Sequence, residues 1–173
     1  GLTVDSDPYC LGVFIDNEVK TTGSTQTMWR TYFRAAERAI RNKLPNKLYL
    51  CNRWAGYPTD FLIGLSAQHC DVVTYNWYRN EVNEKHLPFP SIDGMHYHNG
   101  VDVLAGRVLP YDKPTMIGEF TIGTFDGVNV ASGARHAPTD EQRGRIAAHY
   151  WQTALNTKNI VGAHWFRYTD QFL

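Results

Sequence analysis

The feature that most restricts this chain is an alternation of strand-length apolar runs with amphipathic helical stretches, each run breaking off at polar residues. Leu11 to Phe14, continued by Ile15, is such a run and stops at Asp16-Asn17-Glu18. A continuous apolar run of this length fits a fully buried strand of a parallel sheet. From about Ser24 to Leu44, the residues Trp29, Phe33, Ala36, Ile40 and Leu44 recur three or four positions apart, with Arg30, Arg34, Glu37 and Arg41 between them. That spacing predicts a helix, which Pro45 ends. The cycle then repeats. Lys47 to Cys51 is a short strand, Thr59 caps a short helix carrying Phe61, Leu62, Ile63 and Leu65, and Val72 to Asn76 is another strand. A last cycle holds the strand Thr115 to Gly118, a helix opened by the capping box Thr139-x-x-Gln142 and packing Ile146, Tyr150 and Ala154, and the strand Ile160 to Phe166. Five strands alternating with helices imply an α/β fold of parallel βαβ units with right-handed crossovers.

Composition narrows the function. The 17 Lys plus Arg balance the 17 Asp plus Glu, so there is no basic surplus for nucleic acid, and none is expected as a partner. No apolar run approaches the roughly 18 residues of a membrane span. Cys10, Cys51 and Cys70 are odd in number, widely spaced and without a CxxC, so neither a disulfide framework nor a zinc knuckle is signalled. The chain opens on Gly-Leu-Thr without Met or a charged-then-apolar leader, which reads as a trimmed product or an excerpt. No repeat or interdomain linker divides residues 1–173, so one domain piece is expected. Two connections, Tyr78 to about Gly100 and Thr121 to Pro138, are long and rich in Gly, His and aromatic residues, as suits loops that build a site at the strand ends.

The strand ends supply the chemistry: Asn17-Glu18, Asn52-Arg53, Asn76 with Tyr78, Glu119, and Trp165 with Arg167. A Glu straight after an apolar run needs a partner or a task, because an unpaired charge is costly to bury. Glu18 and Glu119 are therefore the two carboxylates to weigh. One reading makes each a buried ion pair with an Arg such as Arg53. The other makes them the two carboxylates of glycoside hydrolysis, one donating a proton to the leaving oxygen and one attacking the anomeric carbon. The five Trp and ten Tyr, several at strand ends, suit the flat C–H faces of sugars. His96-Tyr97-His98, His69-x-Asp71 and His86 offer metal-ligand types, but no third ligand stands at a recognisable distance, so no metal site is expected. No GxSxG elbow and no phosphate-binding Gly-rich loop is present, so acyl-transfer and nucleotide chemistry lack support.

Four segments, in order, carry a family resemblance. Asp7-Pro8-Tyr9-Cys10-Leu11-Gly12-Val13-Phe14-Ile15-Asp16-Asn17-Glu18 closely resembles the acid/base segment of the β-agarases of glycoside hydrolase family 50. The stretch from Cys70 to Tyr78 resembles that family's sixth barrel strand, Asp112 to Phe120 its nucleophile strand, and Asn159 to Gln171 its eighth. The resemblance implies a (β/α)8 barrel, the TIM barrel, of which this chain is the C-terminal portion, about strands 4 to 8. It implies Glu18 as acid/base and Glu119 as nucleophile of a retaining enzyme that cleaves β-galactosidic linkages of agarose or agaro-oligosaccharides, with no cofactor. Carried over, Asn17 binds the hydroxyl beside the anomeric carbon, Tyr78 hydrogen-bonds the nucleophile, Trp165 floors the sugar subsite, and Arg53 and Asn76 line the pocket.

Two departures shape the expectation. Thr121 stands where the family has His after Glu-Phe, so a related β-galactosidase or another algal-galactan hydrolase is the second reading, and a non-catalytic carbohydrate-binding half-barrel the third. A full barrel takes about 250 residues, and five strands of eight leave the sheet open. The missing half is then expected in cis or in trans. A polymer substrate places such an enzyme outside the cytoplasm, secreted or periplasmic.

Overall fold

The computed structural model describes residues 3–78, 81–82, 91–92, 95–98, 101–124, 136–137 and 139–167. It is an α/β structure in which parallel strands and helices alternate. Strand β1 (Gly12–Val13) pairs in parallel with β2 (Leu48–Tyr49), and β3 (Trp54–Ala55) pairs with β4 (Val73–Asn76). Next to β4 lies β8 (Thr115–Phe120), and next to β8 lies β11 (Ile160–Trp165). β2 and β3 are two parts of one extended stretch, broken where Cys51 turns left-handed at φ 68°. The ladder with the first segment runs past that break, through Ile15 N–H to Cys51 O, Arg53 N–H to Asp16 O and Glu18 N–H to Arg53 O. The five stretches thus stand side by side in chain order.

The helices form where their apolar periodicity begins and is capped. In α1 (Gln26–Lys43), Thr25 Oγ1 accepts the Met28 N–H at 3.2 Å, and Trp29, Phe33, Ala36 and Ile40 turn inward. α2 (Asp60–His69) starts at Thr59, which accepts the Leu62 N–H, and buries Leu62, Ile63 and Leu65. α4 (Asp140–Asn156) starts at Thr139, whose hydroxyl accepts the Gln142 N–H at 3.2 Å, and buries Ile146, Tyr150 and Ala154. The capping box is only half made, since Gln142 Oε1 is buried without a hydrogen-bond partner. A further helix, α3 (Val101–Val108), follows the connection that ends near Gly100, where the sequence pattern assigns no element; it buries Leu104, Ala105 and Val108. α1 packs on α2, α2 on α3 and α3 on α4, forming one helical layer over one face of the sheet.

Within the connection after Tyr78, the strands β5 (Glu81–Val82), β6 (Ser91–Ile92) and β7 (Met95–His98) pair antiparallel in the order β5-β7-β6. Beyond β8, β9 (Gly123–Thr124) pairs in parallel with β10 (His136–Ala137). The core between sheet and helices is aromatic: Phe33, Tyr49, Trp54, Tyr75, Trp77, Phe120 and Tyr150 are almost wholly buried. Phe120 and Tyr150 stack with ring centroids 3.9 Å apart, and Trp54 Nε1 donates to Ser66 Oγ at 3.0 Å.

The first strand differs from its expected full burial. Leu11 is 73% and Ile15 39% exposed, and Leu48 beside them is 43% exposed. Among the described residues β1 has a neighbour on one side only, so its apolar side chains lack a second cover.

Candidate active site

The carboxyl ends of the parallel strands converge on one rim, and the backbone sets it up before any side chain acts. Asn17 and Arg53 form a parallel bridge, and Glu18, left-handed at φ 52°, donates its N–H to Arg53 O at 2.8 Å. A left-handed Glu costs on the order of 1 kcal/mol, so the surrounding bonds must hold it there.

β8 reaches the same rim through a bulge. Tyr75 pairs with Ile117, but Asn76 pairs with Glu119, so Gly118 is an extra residue on β8. In a regular strand, alternation would send Glu119 and Ile117 to the same face, that of the helices. The extra residue resets the alternation: Ile117 and Phe120 pack into the helical layer, while Glu119 turns to the opposite face.

There Glu119 is held from two sides. Arg53 Nη1 donates to its Oε1 at 2.8 Å, and Tyr78 Oη donates to its Oε2 at 2.5 Å. Glu119 is only 6% exposed, so the guanidinium and the hydroxyl are what make an ionised carboxylate tolerable at that depth. Burial first, then the bond to Glu119 and the charges of Glu119 and Glu18, push the Tyr78 hydroxyl well above the ordinary phenol range, against the pull of Arg53. Tyr78 is thus a fixed proton donor to the carboxylate.

Glu18 is exposed and differently partnered. Asn76 Nδ2 donates to Glu18 Oε1 at 3.0 Å and to Asn17 Oδ1 at 2.8 Å. The buried ion pair weighed for both carboxylates is formed by Glu119, whereas Glu18 is tied to an amide. Six of the seven residues to which the resemblance gives a role, Asn17, Glu18, Arg53, Asn76, Tyr78 and Glu119, therefore form one connected hydrogen-bonded network.

Trp165 lies elsewhere. It pairs with Phe120 across a register shift between Ala163 and Trp165, and its ring packs on Phe120 (5.4 Å between centroids) and on Trp151 of α4 (6.2 Å). These contacts belong to the helical face of the sheet. Of the metal-ligand types, His69 is bonded to Glu37 at 2.8 Å and Asp71 to Arg41 at 2.7 Å, each in a structural pair. The side chains of His96 and His98 and the whole of His86 fall outside the described residues.

Two contributors were missed in the sequence. Phe14 carries the Arg53 guanidinium over its ring, 5.3 Å from the centroid; its only sequence signal is its place at the end of an apolar run. Gly118 is the bulge residue, signalled by a lone Gly inside an apolar strand beside a Glu. The network also leaves Asn76 Oδ1, Arg53 Nε and Asn52 Nδ2 buried without partners. An anion held by a cation and a hydroxyl, beside an exposed second carboxylate, is an arrangement that can pair a fixed negative charge with a proton shuttle.

No family model matches the chain. β-Agarase A of Vibrio sp. (strain JT0107) is 31% identical to it over 140 residues, which is 80% of this chain and 13% of that protein. β-Agarase B of the same organism is 29% identical over the same shares. Among solved structures, an exo-β-agarase superposes with a TM-score of 0.68 at 29% identity, covering 84% of this chain and 17% of its own. The chain thus spans about 13% of the length of the curated relatives it matches. The similarity to the β-agarases of glycoside hydrolase family 50 that the strand segments carry accordingly extends over at least four fifths of the chain, in sequence and in fold alike.

Proposed function

We propose that this chain is part of the catalytic domain of a retaining glycoside hydrolase that cleaves β-galactosidic linkages of agarose or agaro-oligosaccharides, with Glu119 as nucleophile and Glu18 as acid/base. The observation that carries the reading is the contrast between the two carboxylates. Glu119 is buried and accepts bonds from the Arg53 guanidinium and the Tyr78 hydroxyl, which fix its oxygens as a nucleophile requires. Glu18 is exposed, so it can give a proton to a leaving oxygen and take one back from water. Asn17, next to Glu18, would bind the hydroxyl beside the anomeric carbon. Asn76 and Arg53 would line the pocket, while Trp165, expected to floor the sugar subsite, is left out of it by its packing on Phe120 and Trp151.

In this reading the five parallel stretches are strands 4 to 8 of a (β/α)8 barrel. The remaining strands come from the rest of a longer polypeptide, or from a partner, and cover the exposed apolar residues of β1. The agarase relatives support the substrate class, a polymer that places the enzyme in the periplasm or outside the cell, and the chemistry calls for no cofactor. Thr121, half-buried beside Phe120, is the residue on which the alternative reading rests, a related β-galactosidase or another algal-galactan hydrolase.

The test is to follow anomeric proton signals during hydrolysis of agaro-oligosaccharides by the complete natural polypeptide. The first-formed product should retain the β configuration. Glu18→Gln should lower turnover about 10²- to 10⁴-fold, the usual worth of a general acid/base, and Glu119→Gln at least as much. An inverted product, or undiminished turnover in Glu119→Gln, sinks the assignment.

A further inference from the structure

We propose that Gly118 is a positioning residue for both carboxylates: its bulge turns Glu119 to the site face, and its missing side chain is the gap through which the Arg53 stem reaches that carboxylate. The inference rests on the function proposed above and deepens it.

The space is specific. A Cβ at residue 118 would lie 2.7 Å from Arg53 Cδ, 2.9 Å from Asn76 Oδ1 and 2.9 Å from Thr74 Cγ2. At Gly23, Gly56, Gly106 and Gly144 a Cβ would meet nothing within 4 Å, and among the described glycines only Gly12, against Leu48 and Leu50, is as crowded as Gly118. None of the three neighbours is a free side-chain end. Arg53 is bridged to Asn17 through its backbone, bonded to Glu119 through Nη1 and laid over Phe14. The Asn76 amide is committed to Asn17 and Glu18, and Thr74 Oγ1 donates to Leu50 O at 2.8 Å. A methyl group at residue 118 therefore has to displace a group that touches a carboxylate. Displacing Arg53 removes the cation from Glu119; displacing Asn76 removes the donor from Glu18. One missing side chain thus governs both partners of the pair, and the same residue, as the bulge, sets the direction in which Glu119 points.

Gly118→Ala in the complete natural polypeptide tests this. The variant should fold, and its kcat/KM on agaro-oligosaccharides should fall about 100-fold, the scale of a catalytic group misplaced by about 1 Å. The loss should fall on kcat, with KM changed little, because the displaced groups hold the reacting carboxylates. A purely structural role would lower the amount of active protein and leave kcat per folded molecule in place. In an Arg53→Ala background the added Gly118→Ala should lower kcat by a smaller factor than in the native chain, since one of the two groups it acts through is gone. If Gly118→Ala alone does not fold, adding Arg53→Ala should recover part of the folded protein, since the tightest of the three crowded neighbours is gone; no recovery overturns the proposal. A crystal structure of Gly118→Ala separates this inference from the assigned reaction, because it needs no substrate. The Arg53–Glu119 contact, 2.8 Å in the native chain, should be broken, and an intact contact overturns the positioning role even if the enzyme is an agarase. Native protein that turns over no galactan would sink the reaction and leave the structural result standing.

Discussion

Asn76 spends both hydrogens of one amide on the first strand's end, one on Asn17 and one on Glu18, while Tyr78, two residues later, bonds Glu119. Strand β4 is therefore the hinge between the two carboxylates, and its residues are separable by substitution. Tyr78→Phe removes the donor from a buried anion without changing ring packing. Losing a hydrogen bond to a charged group costs about 1.5–3 kcal/mol, so kcat should fall roughly 10- to 100-fold with little change in KM. Steady-state kinetics on agaro-oligosaccharides, with circular dichroism to verify folding, decides this; an unchanged kcat would show that Tyr78 has no part in the chemistry. At this scale the sequence was informative because polar residues that end apolar runs have few structural uses. Phe14 and Gly118 stayed hidden for the opposite reason. An apolar residue and a glycine inside a strand both have ordinary explanations, and their effect depends on a register shift that pattern cannot display.

The elements were legible wherever periodicity was long and bounded by a cap. α1 begins and ends within two residues of its expected bounds and α4 begins at its expected cap, because Thr25, Thr139 and the apolar faces act locally. α3 was not, since it is only eight residues long and Val103, exposed, blurs the face made by Leu104, Ala105 and Val108. β8 runs two residues past its expected end, because Trp77 N–H donates to Glu119 O at 2.7 Å and keeps the carboxylate's own backbone in the ladder. The exposure of Leu11 and Ile15 was beyond reach too, as an apolar run reports that cover is wanted and not where it comes from. The cap of α1 is open to test. Thr25→Ala should destabilise the helix by about 1 kcal/mol, seen as faster hydrogen exchange of its first-turn amides. Exchange as slow as in the native polypeptide would mean that packing of Trp29 and Phe33 alone holds that end.

Across the whole molecule, the aromatic core carries a pH dependence of its own. Burial raises the hydroxyls of Tyr49, Tyr75 and Tyr150 above the ordinary phenol range, and burial together with Asp16 does the same for Tyr32. The folded state thus keeps these protons longer than the unfolded chain does. The stability they permit is complete below a phenol's ordinary pKa of about 10 and declines as pH rises above it, because the unfolded chain ionises first. Tyr75 is the best probe, since its hydroxyl is buried without a hydrogen-bond partner. Tyr75→Phe should be neutral or stabilising by up to about 1 kcal/mol at neutral pH, as an unsatisfied polar group is removed. It should also shift the alkaline unfolding limb upward, which thermal melts across a pH series would measure. A destabilised variant with an unmoved limb would mean that the hydroxyl has a partner in solution.

The contacts that tie the two carboxylates together join residues far apart along the chain. Arg53 and Glu119 are 66 positions apart, Asn76 and Asn17 are 59 apart, and Tyr78 and Glu119 are 41 apart. Contacts of such separation close late, after the entropy of long loops has been overcome. As the chain leaves the ribosome, Glu18 emerges about a hundred residues before its counterpart, and no short stretch of nascent polypeptide holds both. Whatever chemistry this rim performs is silent until β8 inserts between β4 and β11. Its onset during refolding is a clock for the last step of sheet assembly.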